Sequence, residues 1–232
     1  MNEIQAIRER HSVRTYQPRQ IEKEKVDQLN ALIEECNREG GLHIQFLKDA
    51  GRTYDRFFNK AMGLGTAPSV IACVGKEAPD LEERIGYYGE KIVLYAQTLG
   101  LNTCWTGTYN AKGVPADIVD GERLVIVIAI GYGNTPGKPH KSKKLEQVVS
   151  CKGERPYWFN FGVEMALLAP TAINQQKFEF RLDENGTVTA IDKGGILSKV
   201  DLGIVKYHFD AGVNYMKSQK KRERPVCHNS CQ

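Results

Sequence analysis

Two arginines flank a serine in Arg10-His11-Ser12-Val13-Arg14. A guanidinium presents a planar fork of N–H donors that matches a phosphate, and a serine hydroxyl adds a further donor. The same residues serve equally as a solvated surface turn with a capping serine. A second stretch runs from Leu167 through Pro170 and Thr171 to Asn174, Gln175 and Gln176. Its carboxamides carry both donors and acceptors, which suits the edge of a planar ring that alternates the two. They could also satisfy the loose backbone groups beyond a helix end. In Cys104-Trp-Thr106-Gly107-Thr-Tyr109, the glycine lets backbone approach a flat ligand closely, or simply marks a strand-to-loop turn. Finally, Lys138, Lys141, Lys143 and Lys144 form a basic arm that either returns to an anion or stays in water.

The elements that must hold these segments are legible from periodicity. Residues 3–9 fit a short helix ending just before Arg10, and Pro18 breaks the chain after it. From Glu22 to Arg38, Val26, Leu29, Leu32, Ile33 and Cys36 recur at helical spacing, and Gly40-Gly41 ends the run. A strand is expected around Ile44, Phe46 and Leu47, a short helix within 53–62, and a turn-rich loop over 63–68. A buried strand follows over 69–74. Ile85, Tyr88, Ile92, Tyr95 and Leu99 predict a long helix over 81–99, closed by Gly100 as a left-handed cap. Residues 103–109 read as a strand running into a glycine turn. Leu124 to Ile130 is apolar at every position, as a strand covered on both faces should be. Residues 132–155 lack periodicity and read as a connecting arm. Beyond it come a helix (157–168), a strand pair (178–182 and 188–191) turning at Asn185-Gly186, and a helix (200–215). Strands interleaved with helices give an α/β or α+β sandwich. The C-terminal third would bury a poor core alone, so the expected organisation is a core at 1–150 with residues 151–232 packed on it.

Composition narrows the class. The chain has 232 residues, 41% hydrophobic and 26% charged, with a net charge of +4. That excess is too small for a whole-protein nucleic-acid footprint, although the run from Lys217 to Arg224 keeps an interaction role open. No signal-peptide core or membrane-length apolar run is visible, so the expectation is a cytoplasmic protein with neither membrane nor nucleic-acid partner. Cys73 and Cys104 read as core residues. Cys227-His-Asn-Ser-Cys231 falls short of the four ligands of a structural zinc site, so no metal site is expected.

The order of these motifs resembles the nitroreductase family. Arg10-His-Ser-Val-Arg14 with Tyr16 is similar to its N-terminal R-x-S-x-R-x-[FY] signature. Ala67-Pro-Ser-Val-Ile-Ala is similar to its central strand, and Leu99-Gly-Leu-Asn-Thr-Cys-Trp-Thr-Gly107 to its Gly-Leu segment. Val125 to Gly131, followed by 143–149, resembles its terminal strand and closing basic element. One departure stands out: the family's P-S-x-x-N-x-Q segment is missing after the first long helix. A similar segment, Pro170-Thr-Ala-Ile-Asn-Gln-Gln176, appears in the second part, with Thr171 for serine and Lys177 for the usual proline.

The resemblance implies a nitroreductase-like sandwich, with a central mixed sheet flanked by helices and a partial second copy of the fold at the C-terminus. It also implies FMN as cofactor, NAD(P)H as transient donor and a small-molecule electron acceptor such as a nitroaromatic or quinone, in ping-pong turnover. No side chain need act as a catalytic residue, since the flavin does the chemistry. Arg10, Ser12, Lys141 and Lys143 would hold the phosphate. His11 and Arg14 would lie along the ribityl chain and pyrimidine edge, and Thr106 and Gly107 would face flavin N5. Pro170, Thr171, Asn174 and Gln176 would close over the ring, so that a monomer mimics the family's dimer, or a homodimer persists. Other readings are a different flavin-borne reduction, or an FMN-binding protein with a regulatory role.

Overall fold

The computed structural model describes residues 1–222. The Cys227–Cys231 segment and the end of the basic run lie outside the described residues. Helix α1 (Glu3–Glu9) starts from a reciprocal cap, in which the Asn2 side chain accepts from Gln5 N and the Gln5 side chain accepts from Asn2 N. Helix α2 (Lys23–Gly40) buries Leu29, Ile33 and Cys36 and ends at Gly41 in the left-handed conformation. Strand β1 (Gln45–Leu47) and the five-residue α3 (Phe57–Ala61) follow. The helix expected within 53–62 is thus confined to its second half.

Strand β2 (Ser69–Lys76) is buried along all but its last residue. Helix α4 (Leu81–Thr98) leads to Gly100, whose φ of +75° is the left-handed cap expected there. Strands β3 (Asn102–Thr106) and β4 (Glu122–Gly131) complete a four-stranded sheet of order β1-β2-β4-β3. Both β2 and β3 pair antiparallel with β4, so they run in the same direction and α4 crosses over β4 to join them. This sheet is therefore antiparallel throughout rather than mixed; a parallel contact reaches it at the isolated Ser12–Thr103 bridge.

The C-terminal part adds α5 (Tyr157–Ala166), a hairpin of β6 (Phe178–Leu182) and β7 (Val188–Asp192), and α6 (Ser198–Arg222). A short strand β5 (Val149–Cys151) pairs parallel with β6. That strand lies inside the arm expected to be irregular, because three residues are too few to display an alternation. One continuous apolar cluster joins Ile71, Ile85 and Ile128 to Phe159, Phe180, Val205 and Phe209.

Helix α6 lies against α4 with glycine on both sides of the crossing. A Cβ on Gly86 would stand 2.1 Å from the Val200 carbonyl oxygen, and one on Gly203 would stand 2.0 Å from that of Glu83. The two backbones touch there, and no larger residue fits.

Candidate functional site: a cationic cleft with two unlike walls

The first wall begins where α1 stops. Arg10 leaves the helix in extended conformation, and the chain then runs along β3: Ser12 bridges to Thr103, and Val13 N donates to Thr103 O at 3.0 Å. Tyr16 is buried beneath, its hydroxyl donating to Val13 O at 2.7 Å. This brace holds Arg10, Ser12 and Arg14 in a fixed register. Arg10 is 3% exposed, yet its Nε has no hydrogen-bond partner. The nearest carboxylate oxygen, Glu90 Oε1, stands 3.8 Å away, too far for a hydrogen bond. Burial lowers the Arg10 pKa, with the Glu90 charge opposing the shift.

Glu90 is itself fully buried in α4 and already engaged. Trp105 Nε1 donates to its Oε2 at 2.7 Å, and His208 Nε2 lies 2.8 Å from its Oε1. The indole reaches this position because Gly89 has no side chain; a Cβ there would meet Trp105 at 2.5 Å. From α6, His208 also bonds Met165 O at 3.0 Å through Nδ1.

The second wall is the loop after α5. Ile173 (φ +47°), Asn174 (+56°) and Gln176 (+45°) all adopt the left-handed region, which costs a non-glycine residue about 1–2 kcal/mol each. Polar contacts hold the loop in that shape. Asp201, near the start of α6, accepts from Ala172 N at 3.0 Å and from Gln175 Nε2 at 2.8 Å. Burial pushes the Asp201 carboxyl up to about 6. Gln176 is buried; its Oε1 accepts from Lys143 N at 2.8 Å, and its Nε2 donates to Lys141 O at 2.9 Å and to Asn174 Oδ1 at 2.8 Å. Thr171 Oγ1 accepts from Gln176 N at 3.1 Å.

Between the walls lies a cleft of about 380 Å³, walled by Arg10, His11, Ser12, Arg14, Gly137, Lys138, His140, Pro170, Thr171, Ile173 and Asn174. Its charged members, Arg10, Arg14 and Lys138, are all cations. Burial, the Arg10 charge and His140 lower the pKa of His11, so that ring resists adding a further positive charge.

Of the residues singled out in the sequence, the cleft gathers Arg10, His11, Ser12, Arg14, Pro170, Thr171 and Asn174. Thr106, Gly107, Lys141, Lys143 and Gln176 are outside its walls. Thr106 is buried, with Oγ1 donating to Val127 O at 2.9 Å. A Cβ on Gly107 would meet the Leu197 side chain at 2.5 Å. Lys143 Nζ donates to Gln176 O at 2.7 Å, while the arm offers Lys138 and His140 to the cleft instead. Glu90 and His208 do not belong to any of the motifs in the sequence described above. Their signal was a charged or ionisable residue inside a buried helical stripe: Glu90 sits among Ile85, Gly86, Gly89, Ile92 and Val93. Among the described residues, no group of three or more His, Cys, Asp or Glu is placed to hold a metal ion, and no helix is long and apolar enough to cross a membrane.

An α/β fold in which helices flank an antiparallel sheet, carrying a cationic cleft beside β3, defines a nitroreductase-like protein. The chain belongs to the family described as "Putative TM nitroreductase", whose profile matches residues 2–213. Among solved structures, it resembles a putative nitroreductase from Thermotoga maritima, with 23% identity, 94% of this chain and 86% of that one covered, and a TM-score of 0.64. It also resembles a putative NADH dehydrogenase/NAD(P)H nitroreductase from Parabacteroides distasonis, with 21% identity over 64% of this chain and 97% of that one, and a TM-score of 0.51. No curated protein matches the chain significantly. The family suggested by the motifs of residues 1–150 is thus the one to which the chain belongs.

Proposed function

We propose that this chain is an FMN-dependent oxidoreductase that passes electrons from NAD(P)H to a small acceptor such as a nitroaromatic or quinone, by alternating use of one site. The observation that carries the reading is Arg10. It is a buried guanidinium with an unpartnered Nε, in the wall of a cleft whose charged groups are all positive. A desolvated guanidinium is costly unless its charge is met, and a phosphate entering a cleft whose charged groups are all cations would offset that cost. The residues therefore fit the phosphate end of FMN. Bound there, FMN would supply the two-electron chemistry that no side chain of the cleft offers.

The chain's own residues bind and orient. Arg10 and Ser12 take the phosphate, joined by Lys138 from the arm, with Lys141 and Lys143 close behind it. His11 and Arg14 lie along the polar chain of the cofactor and its pyrimidine edge, where Arg14 balances negative charge. Thr106 is three residues along β3 from Thr103, or about 10 Å from the Ser12 bridge. With Gly107 it marks the end of the strand to which the ring would extend. Pro170, Thr171 and Asn174 cover from the opposite side, while Gln176 holds that cover in shape. Residues 155–216 thereby supply in cis the wall that a second subunit gives in the dimeric members, as a partial second copy of the fold.

A second reading, an FMN-binding regulatory protein without turnover, is favoured by Leu197, whose side chain lies over Gly107. One experiment separates the two. The purified protein, loaded with FMN under anaerobic conditions, should be yellow and should bleach on addition of NADH or NADPH, then regain its colour with an acceptor. Yellow protein that does not bleach would select the regulatory reading, and failure to retain FMN would remove both.

A further inference from the structure

The Arg10–Glu90–His208 cluster allows one step more, which rests on the proposed FMN reading of the same cleft. The Met165 carbonyl oxygen can only accept, so His208 Nδ1, 3.0 Å away, carries a hydrogen. Nε2 faces Glu90 Oε1 at 2.8 Å. Two lone pairs do not sit at that distance, so one proton lies between them, on the imidazole or on the carboxyl. In either case, the pair is net neutral. Its other carboxylate oxygen is taken by Trp105 Nε1, which carries no charge. Arg10, 3.8 Å from Glu90, is left uncompensated, and the buried cluster carries a net charge of +1.

We infer that His208, from the C-terminal helix, is an electrostatic part of the anion site: the proton it shares with Glu90 keeps the carboxylate from cancelling Arg10, so that the full cationic charge faces the cleft. His208 touches neither the cleft nor its ligand. It acts through Glu90 as a positioning residue, and it makes anion affinity depend on α6 being docked on α4.

Counting charge gives the test. In His208→Gln the bridging proton is gone, Glu90 offsets Arg10, and the cluster falls to zero. In Glu90→Gln the carboxylate is gone and the charge stays at +1. The double variant also stands at +1. Affinity for FMN, read by quenching of flavin fluorescence at pH 8, should fall about tenfold in H208Q, as expected for the loss of a unit charge close to a phosphate in a partly buried site. It should return to within about threefold of the unaltered protein in H208Q/E90Q. Competition by inorganic phosphate should follow the same order. A role limited to packing would make the double variant worse than either single one. Unchanged affinity in H208Q, or no recovery in the double variant, overturns the inference.

Arg10→Ala is the control for the underlying reading. If R10A binds FMN as well as the unaltered protein, the phosphate assignment fails and the inference with it. If R10A loses affinity while H208Q does not, only the role of His208 fails. Should H208Q not fold, NMR of the unaltered protein labelled with 15N-histidine decides: exchange-protected protons on both His208 ring nitrogens support the inference, and Nε2 with no bonded or shared proton overturns it.

Discussion

The two walls of the cleft follow opposite rules. On the Arg10 side the backbone is relaxed and braced against β3, but the side chain that matters is buried with an unfilled donor. On the Pro170–Gln176 side the backbone is strained at three non-glycine residues, while its buried carboxamide makes bonds at both ends. One wall keeps an unmet donor; the other is satisfied within itself. On the proposed reading, the difference separates residues that recognise from residues that cover: unmet hydrogen-bonding capacity marks the first, and self-satisfied strain marks the second.

The contrast can be broken in several ways. The largest effect should come from detaching the second wall as a whole. Gly203→Ala drives a methyl into the Glu83 backbone and is expected to cost at least about 3 kcal/mol of folding stability in urea unfolding. A cost below about 1 kcal/mol would mean that the α4–α6 contact does not hold this wall in place. Next is the pH dependence of the same wall. The Asp201 carboxyl has a folded-state pKa of about 6, above the 3.8 of an unperturbed aspartate. The native state therefore binds more protons than the unfolded state between those values. Stability from this group is full below pH 4 and lost as pH rises through about 6, by up to about 3 kcal/mol. Urea midpoints should accordingly fall with pH in the unaltered protein relative to Asp201→Asn, and parallel curves would refute the assignment.

A paired substitution tests the contrast itself. Gln176→Ala should cost about 2 kcal/mol of stability, because it orphans Lys143 N and Lys141 O. Arg10→Met should instead stabilise the ligand-free protein by about 1 kcal/mol, by removing a desolvated charge, while FMN affinity collapses. If both variants lose stability equally, the walls do not differ as described. The smallest effect is expected from Ile173→Gly. Relieving a φ of +47° at an exposed β-branched residue should gain about 1 kcal/mol in thermal or urea unfolding.

Much of this was legible in the sequence where a pattern is long enough to repeat. The stripe from Ile85 to Leu99 gave α4 nearly to the residue, and the unbroken apolar run from Leu124 gave the buried β4. Gly100 and Gly186 marked turns because only a positive φ closes the chain at those points. Strand β5 was hidden because three residues carry no period. In the arm, the spacing of lysines said that cations were present but not which of them would turn inward. Lys138 reaches the cleft, whereas Lys143 is drawn off by a backbone carbonyl of the second wall. The Arg10 motif showed that an anion could be gripped there. It did not show that a glutamate eighty residues away and a histidine nearly two hundred away would stand behind it, since such partners are brought together only by the packing of α4 and α6.

The bare crossing of Gly86 against Gly203 has a consequence for assembly. Both walls belong to one polypeptide and meet through a helix pair joined by covalent bonds, so forming the cleft is a first-order event. On the proposed reading, dilution should leave the pocket whole, because residues of one polypeptide line both of its sides.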